Sequence, residues 1–165
     1  MGFFSRFFSR TKHDTRPIQE IKQEAAIKYH PELIDELKED HQALFGLYGE
    51  MIEMINQGKY SDLGPRLHDF KLALEGHLLI ENIKFYVYVE NKLSDDPMNL
   101  EFIKDVRKEM NSIARIVIKF TKKYEHVVFT EELKRSFVKE LNGIGAVLTK
   151  RVEMEESRLY TLYTP

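Results

Sequence analysis

His77-Leu78-Leu79-Ile80-Glu81 places an imidazole and a carboxylate one helical turn apart inside a strongly apolar stretch. Residues four apart share one helix face, and a carboxylate on a core-facing stripe is costly unless it is paired, protonated or bound to a cation. The pentapeptide interrupts a stripe made of Leu67, Phe70, Leu74, His77, Glu81, Phe85 and Tyr88, whose spacing of three and four is that of an amphipathic helix. This helix therefore carries a polar pair in the middle of its buried face. Other parts of the chain must supply the partners.

Three further stripes flank it. Leu33, Leu37, His41, Leu44, Tyr48, Met51 and Ile55 predict a first helix that starts near Pro31 and stops at Gly58. The helix that holds His77 and Glu81 follows, with Ser61 or Asp62 as its cap and Pro65 in its first turn, and runs to about Leu93. After the turn Ser94-Asp95-Asp96-Pro97 comes a third stripe of Phe102, Val106, Met110, Ile113, Val117, Phe120 and Tyr124. Thr130-Glu131-Glu132 caps a fourth, whose stripe runs Leu133, Phe137, Leu141, Ile144, Leu148, Arg151, Glu155, Leu159 and Leu162. Short connections between long helices favour antiparallel neighbours, so the expected fold is all-α, an up-down-up-down antiparallel four-helix bundle over residues 31–163.

Antiparallel packing also sets levels. If the first turn brings Ile55 near Leu63, counting back along both helices puts His41 beside His77, and the next turn puts Glu81 at the level of Met110. Two histidines distant in sequence thus converge with a carboxylate on one interior layer. Imidazole and carboxylate donors projecting inward from facing helices are how bundles build iron and manganese sites. Either histidine alone would more commonly be a hydrogen-bonded core residue; the convergence makes both candidate ligands.

Composition narrows the chemistry. The 165 residues suffice for a single domain with a real core. There is no cysteine, so a metal would take nitrogen or oxygen ligands. With 25 basic and 27 acidic residues the net charge is -2, without the basic excess that drives binding to nucleic acid. No apolar run is long enough to span a bilayer and the N-terminus lacks a signal-peptide pattern, so the expected compartment is cytoplasmic. Residues 1–30 form a separate tail and linker in which Phe3, Phe4, Phe7 and Phe8 alternate with Arg6 and Arg10. That composition suits contact of residues 1–12 with a membrane surface or a protein groove, or loose packing on the bundle. His68 and His126 read as surface residues, and Phe85, Tyr86, Tyr88, Met51, Met54 and Met110 as packing.

Asp40-His41-Gln42-Ala43-Leu44, the run from His77 to Tyr86, and Glu155-Glu156-Ser157-Arg158-Leu159-Tyr160 together resemble the hemerythrin-like HHE cation-binding family. The resemblance implies a four-helix bundle around a non-haem di-iron centre that binds or senses oxygen, iron or nitric oxide. It assigns His41, His77, Glu81 and Glu155 as metal ligands. Two positions depart from the family pattern: Lys108-Glu109-Met110 stands where the third helix normally supplies a histidine, and Arg151 where the fourth does. A guanidinium has no lone pair to give, but Arg151 can pair with Glu155, one turn away, or with Glu81, and so neutralise the carboxylates a cation would have served. The four remaining donors suffice for one ion with an open position, and Glu109 is a substitute carboxylate if the third helix turns slightly. The leading expectation is a divalent-metal (iron) binder with a sensing, storage or delivery role rather than an enzyme. Its rivals are a metal-free interaction module on the same fold and, third, a bundle oxidase or peroxidase using Tyr86 or Tyr88.

Overall fold

A computed structural model describes residues 28–165. The tail residues Phe3, Phe4, Phe7 and Phe8, and the contacts expected of residues 1–12, lie outside the described residues. Helix α1 (Leu33–Asn56) ends at Gly58, which takes a left-handed φ of 71° that a side chain would disfavour. A short 3-10 turn leads into α2 (Leu63–Ile80), which continues through a π-helical turn, Glu81–Tyr86, into α3 (Val87–Lys92) without leaving helical backbone angles. Helix α4 (Pro97–Tyr124) and helix α5 (Glu131–Met154) follow, and α5 extends through a second π-helical turn, Glu155–Leu159, and a 3-10 turn, Tyr160–Leu162. α1 packs on α2, α2 on α4, α4 on α5 and α5 on α1, closing the four-helix square.

Local chemistry fixes the ends. Asp96 accepts a hydrogen bond from the Asn99 backbone N–H with Pro97 in the first turn, and Thr130 accepts one from the Leu133 N–H. The cap expected of Asp62 is different: its side chain makes no capping bond, because the 3-10 turn delivers the chain to α2 already helical. The third stripe also shifts at its start. Phe102 is 47 % exposed and Ile103 is fully buried, since α4 begins at Pro97 and its core face runs through Ile103, Val106, Met110, Ala114 and Val117.

The core is in two parts. One apolar cluster takes Met51, Leu67, Phe70, Phe120, Phe137 and their neighbours. The other takes Leu33, Leu37, Phe85, Val89, Ile103, Leu159 and theirs. Between them every helix but α4 places ionisable side chains: His41 from α1, His77 and Glu81 from the α2 rod, Arg151 and Glu155 from α5, all buried. Near the end of the second cluster, Tyr29 stacks on Tyr163 with ring centroids 5.0 Å apart, and the His30 N–H donates to the Tyr163 hydroxyl at 2.9 Å. Among the described residues no helix is long and apolar enough to cross a membrane.

Candidate metal centre

The polar layer gathers the residues expected there. The imidazoles of His41 and His77 lie 4.7 Å apart, centroid to centroid, across α1 and α2. His41 Nε2 is 3.2 Å from Glu155 Oε2. One donor atom each from His41, His77 and Glu155 falls within 4.8 Å of the other two, all three residues being buried. Glu81, fully buried in the same layer, has the one side-chain atom among the described residues that is buried with no partner, Oε2. Glu81 is not one of the three donors that lie within 4.8 Å, but an orphaned buried oxygen is expensive, and in this layer it is what a cation would satisfy. The donor set is therefore chemically fit for a single ion.

The imidazoles are oriented from behind. His41 Nδ1 is 2.8 Å from Glu156 Oε1, and His77 Nδ1 is 3.4 Å from Asp40 Oδ2, both carboxylates lying nearer the surface than the rings they meet. A carboxylate holding one ring nitrogen fixes the tautomer and leaves the other nitrogen to face inward, the usual arrangement behind metal-ligating histidines.

Charge in the layer is divided unevenly. Burial would lower His41, but its hydrogen bonds to Glu155 and Glu156 raise it on balance. Burial and the neighbouring charge of His41 lower His77. Burial, aided by Glu155, pushes Glu81 up to about 8. For Glu155 burial acts in the same direction, yet His41 and Arg151 hold it below the ordinary carboxylate range. Without a cation the layer thus contains one firm carboxylate, Glu155, between the His41 ring and the Arg151 guanidinium, and one carboxyl, Glu81, that retains its proton near neutrality.

Arg151 occupies the inside of the bundle at 4 % exposure. Its Nε donates to Glu155 Oε1 at 2.5 Å, Nη2 to the Tyr86 hydroxyl at 2.7 Å and Nη1 to the Val106 carbonyl at 3.2 Å. The expected ion pair with Glu155 is present; the alternative pairing with Glu81 is not among its contacts. Glu109 does not enter the layer: it is 66 % exposed, and its carboxylate approaches Arg151 Nη1 only to 3.7 Å from outside. Met110 is buried against the apolar side. On α4 the layer therefore meets the Val106 carbonyl, and among the described residues no second group of donors accompanies the first. His68 and His126 are at the surface, 47 % and 86 % exposed.

Sequence reasoning missed Tyr160, Glu156 and Asp40, and both π turns. Each π turn begins at a layer carboxylate, Glu81 or Glu155. The extra residue resets the phase of the stripe, so that consecutive residues Phe85 and Tyr86, and again Leu159 and Tyr160, are all buried.

Two expectations follow for the metal-free protein. Removing one partner of a buried ion pair strands the other, so Arg151→Ala is expected to cost roughly 3–5 kcal/mol in chemical denaturation; a variant that unfolds like the parent would show that the guanidinium is not holding Glu155. Glu81 binds its proton more tightly in the folded state, so its stabilising contribution is complete below the ordinary value of 4.5 and is lost as pH rises through about 8. Glu81→Gln keeps the shape of the protonated side chain without titrating. Denaturation midpoints of this variant should match the parent's on the acid side of that window and exceed them on the alkaline side, and parallel curves throughout would contradict the assignment.

Comparison with known proteins agrees with this architecture. No curated protein and no solved structure matches the chain. The sequence does match the family model of the hemerythrin HHE cation binding domain over residues 32–163, a span that begins one residue before α1 and ends just beyond the last turn of the α5 rod. The matched span takes in all four helices and the buried His41, His77 and Glu155 group, and the chain belongs to the hemerythrin HHE cation-binding family.

Proposed function

We propose that this protein binds one divalent cation, iron foremost, through His41, His77 and Glu155 with Glu81 as the fourth donor, and serves in sensing, storage or delivery rather than catalysis. The observation that carries the reading is the clustering of three buried donors within 4.8 Å in a layer whose second carboxyl group, Glu81, has an unpartnered oxygen. Family membership supports it, as does the absence of thiolate donors from the chain, which directs the site toward oxygen-loving and imidazole-binding metals. Bound there, a ferrous ion would supply a centre able to take a small exogenous ligand or to change oxidation state. The chain's own contribution is to hold the donors dry, to fix both imidazoles through Asp40 and Glu156, and to keep a proton on Glu81 until a cation displaces it.

In this reading Arg151 stands in for a second cation. Its permanent charge neutralises Glu155 from the side where a family member would place another ion, and Tyr86 and the Val106 carbonyl complete its hydrogen bonds. The same contacts favour the second reading, a metal-free interaction module on the family fold, because a guanidinium already satisfies part of what a metal would. The two readings differ in what His77 is for.

Titration with ferrous iron under anaerobic conditions, or with cobalt as a spectroscopic surrogate, separates them. The parent is expected to bind one equivalent and to gain thermal stability as the metal saturates, because binding acts on the folded state alone. His77→Ala should lose both effects. Arg151→His restores a donor and should raise affinity or stoichiometry. A parent that takes up no metal, with an Arg151→His variant equally inert, would leave the interaction-module reading.

A further inference from the structure

We infer that Tyr160 is an additional ligand of the layer's cation, supplying a phenolate oxygen to a ferric ion. The inference rests on the metal binding proposed above and adds a donor that the sequence pattern does not suggest. Tyr160 is the first residue after the π turn Glu155–Leu159, and that turn's extra residue swings it to the core side. Its side chain is 4 % exposed. The hydroxyl lies 3.4 Å from His41 Nε2 and 3.4 Å from Glu81 Oε1, so it sits between two of the four donors. Its ring runs nearly parallel to the His41 imidazole, at 9° with centroids 5.9 Å apart, and packs against the Phe85 ring at 5.2 Å. The phenol is therefore held in place by its ring, and the hydroxyl is aimed at the layer.

The spacing suits a hydroxyl that shares an ion with its neighbours. The hydroxyl donates to Glu81 Oε1 at 3.4 Å, longer than a strong O–H···O bond of about 2.5–3.0 Å, and stands at the same distance from His41 Nε2. Donors that share one ion at bond lengths of about 2.0–2.2 Å stand roughly 2.8–3.6 Å from one another. The 3.4 Å contacts of Tyr160 and the 3.2 Å separation of His41 Nε2 from Glu155 Oε2 both fall in that range. Tyr86, the other buried phenol nearby, is committed elsewhere, its oxygen accepting from Arg151 Nη2 at 2.7 Å. On coordination the phenol O–H bond breaks, the oxygen–iron bond forms with the phenolate's electron pair, and the proton leaves to water. The iron enters already ferric, so no electron is transferred. A hard anionic oxygen suits that ion, and a cation makes such deprotonation favourable in a buried site.

The test loads the full chain with ferric nitrilotriacetate and reads iron content, visible absorption and resonance Raman scattering. The parent is expected to bind iron and to show a phenolate-to-iron charge-transfer band with enhanced tyrosinate ring modes. Tyr160→Phe keeps the ring packing, so it should stay folded, hold iron with roughly 10-fold or lower affinity, and lose the band. Tyr86→Phe should retain it. Iron bound by the parent without that band, or a band that survives in Tyr160→Phe, overturns the assignment while leaving the cation site standing. Failure of the parent to take up ferric iron also overturns the Tyr160 assignment, while the divalent site stands or falls on the ferrous or cobalt titration.

Discussion

The structure is organised around a constraint: five ionisable side chains lie in one layer between two apolar cores, where charge is costly unless it is answered. Each response visible in the chain addresses that cost. Arg151 answers Glu155 from within the layer. Glu156 and Asp40 answer the outer nitrogens of His41 and His77 from the rim. Glu81 answers its own burial by keeping a proton. The apolar clusters above and below exclude water, which makes each of these interactions stronger and each missing one more damaging.

Helix geometry serves the layer as well. Both π turns start at a layer carboxylate, one in the α2 rod and one in the α5 rod. Each lets a second aromatic or apolar residue face inward immediately beyond the site, so the second cluster closes over the layer with Phe85, Tyr86, Leu159 and Tyr160. Wide turns of this kind weaken the local hydrogen-bond ladder and recur at functional sites. Their pairing puts one wide turn at Glu81 and the other at Glu155, on opposite sides of the layer.

Much of this was legible from sequence because it depends on periodicity and register. Stripes of Leu33 to Ile55 and Leu67 to Glu81, with a short connection, were enough to place His41 beside His77. The pairing of Arg151 with Glu155 followed from their spacing of four on one face. What was not legible depends on local departures from the period. Phe102 was placed inside and Ile103 is there instead, because the stripe's phase is set by where Pro97 starts the helix. Glu109 was a plausible donor in a list of residue types, but the unbroken helix around it keeps it on the outer face. Tyr160 was invisible for the converse reason: only the extra residue of a π turn brings it in. Second-layer carboxylates such as Glu156 and Asp40 carry no pattern of their own, since any acidic residue beside a layer histidine would read the same.

The central claim is that this layer holds one cation where the family pattern provides for two. Anomalous diffraction from crystals grown with cobalt or ferrous iron tests it most directly. The account predicts a single anomalous peak within bonding distance of His41, His77 and Glu155, with the Arg151 guanidinium still on Glu155. Two peaks, the second displacing Arg151, or a cation-soaked crystal with no peak in the layer, would contradict it.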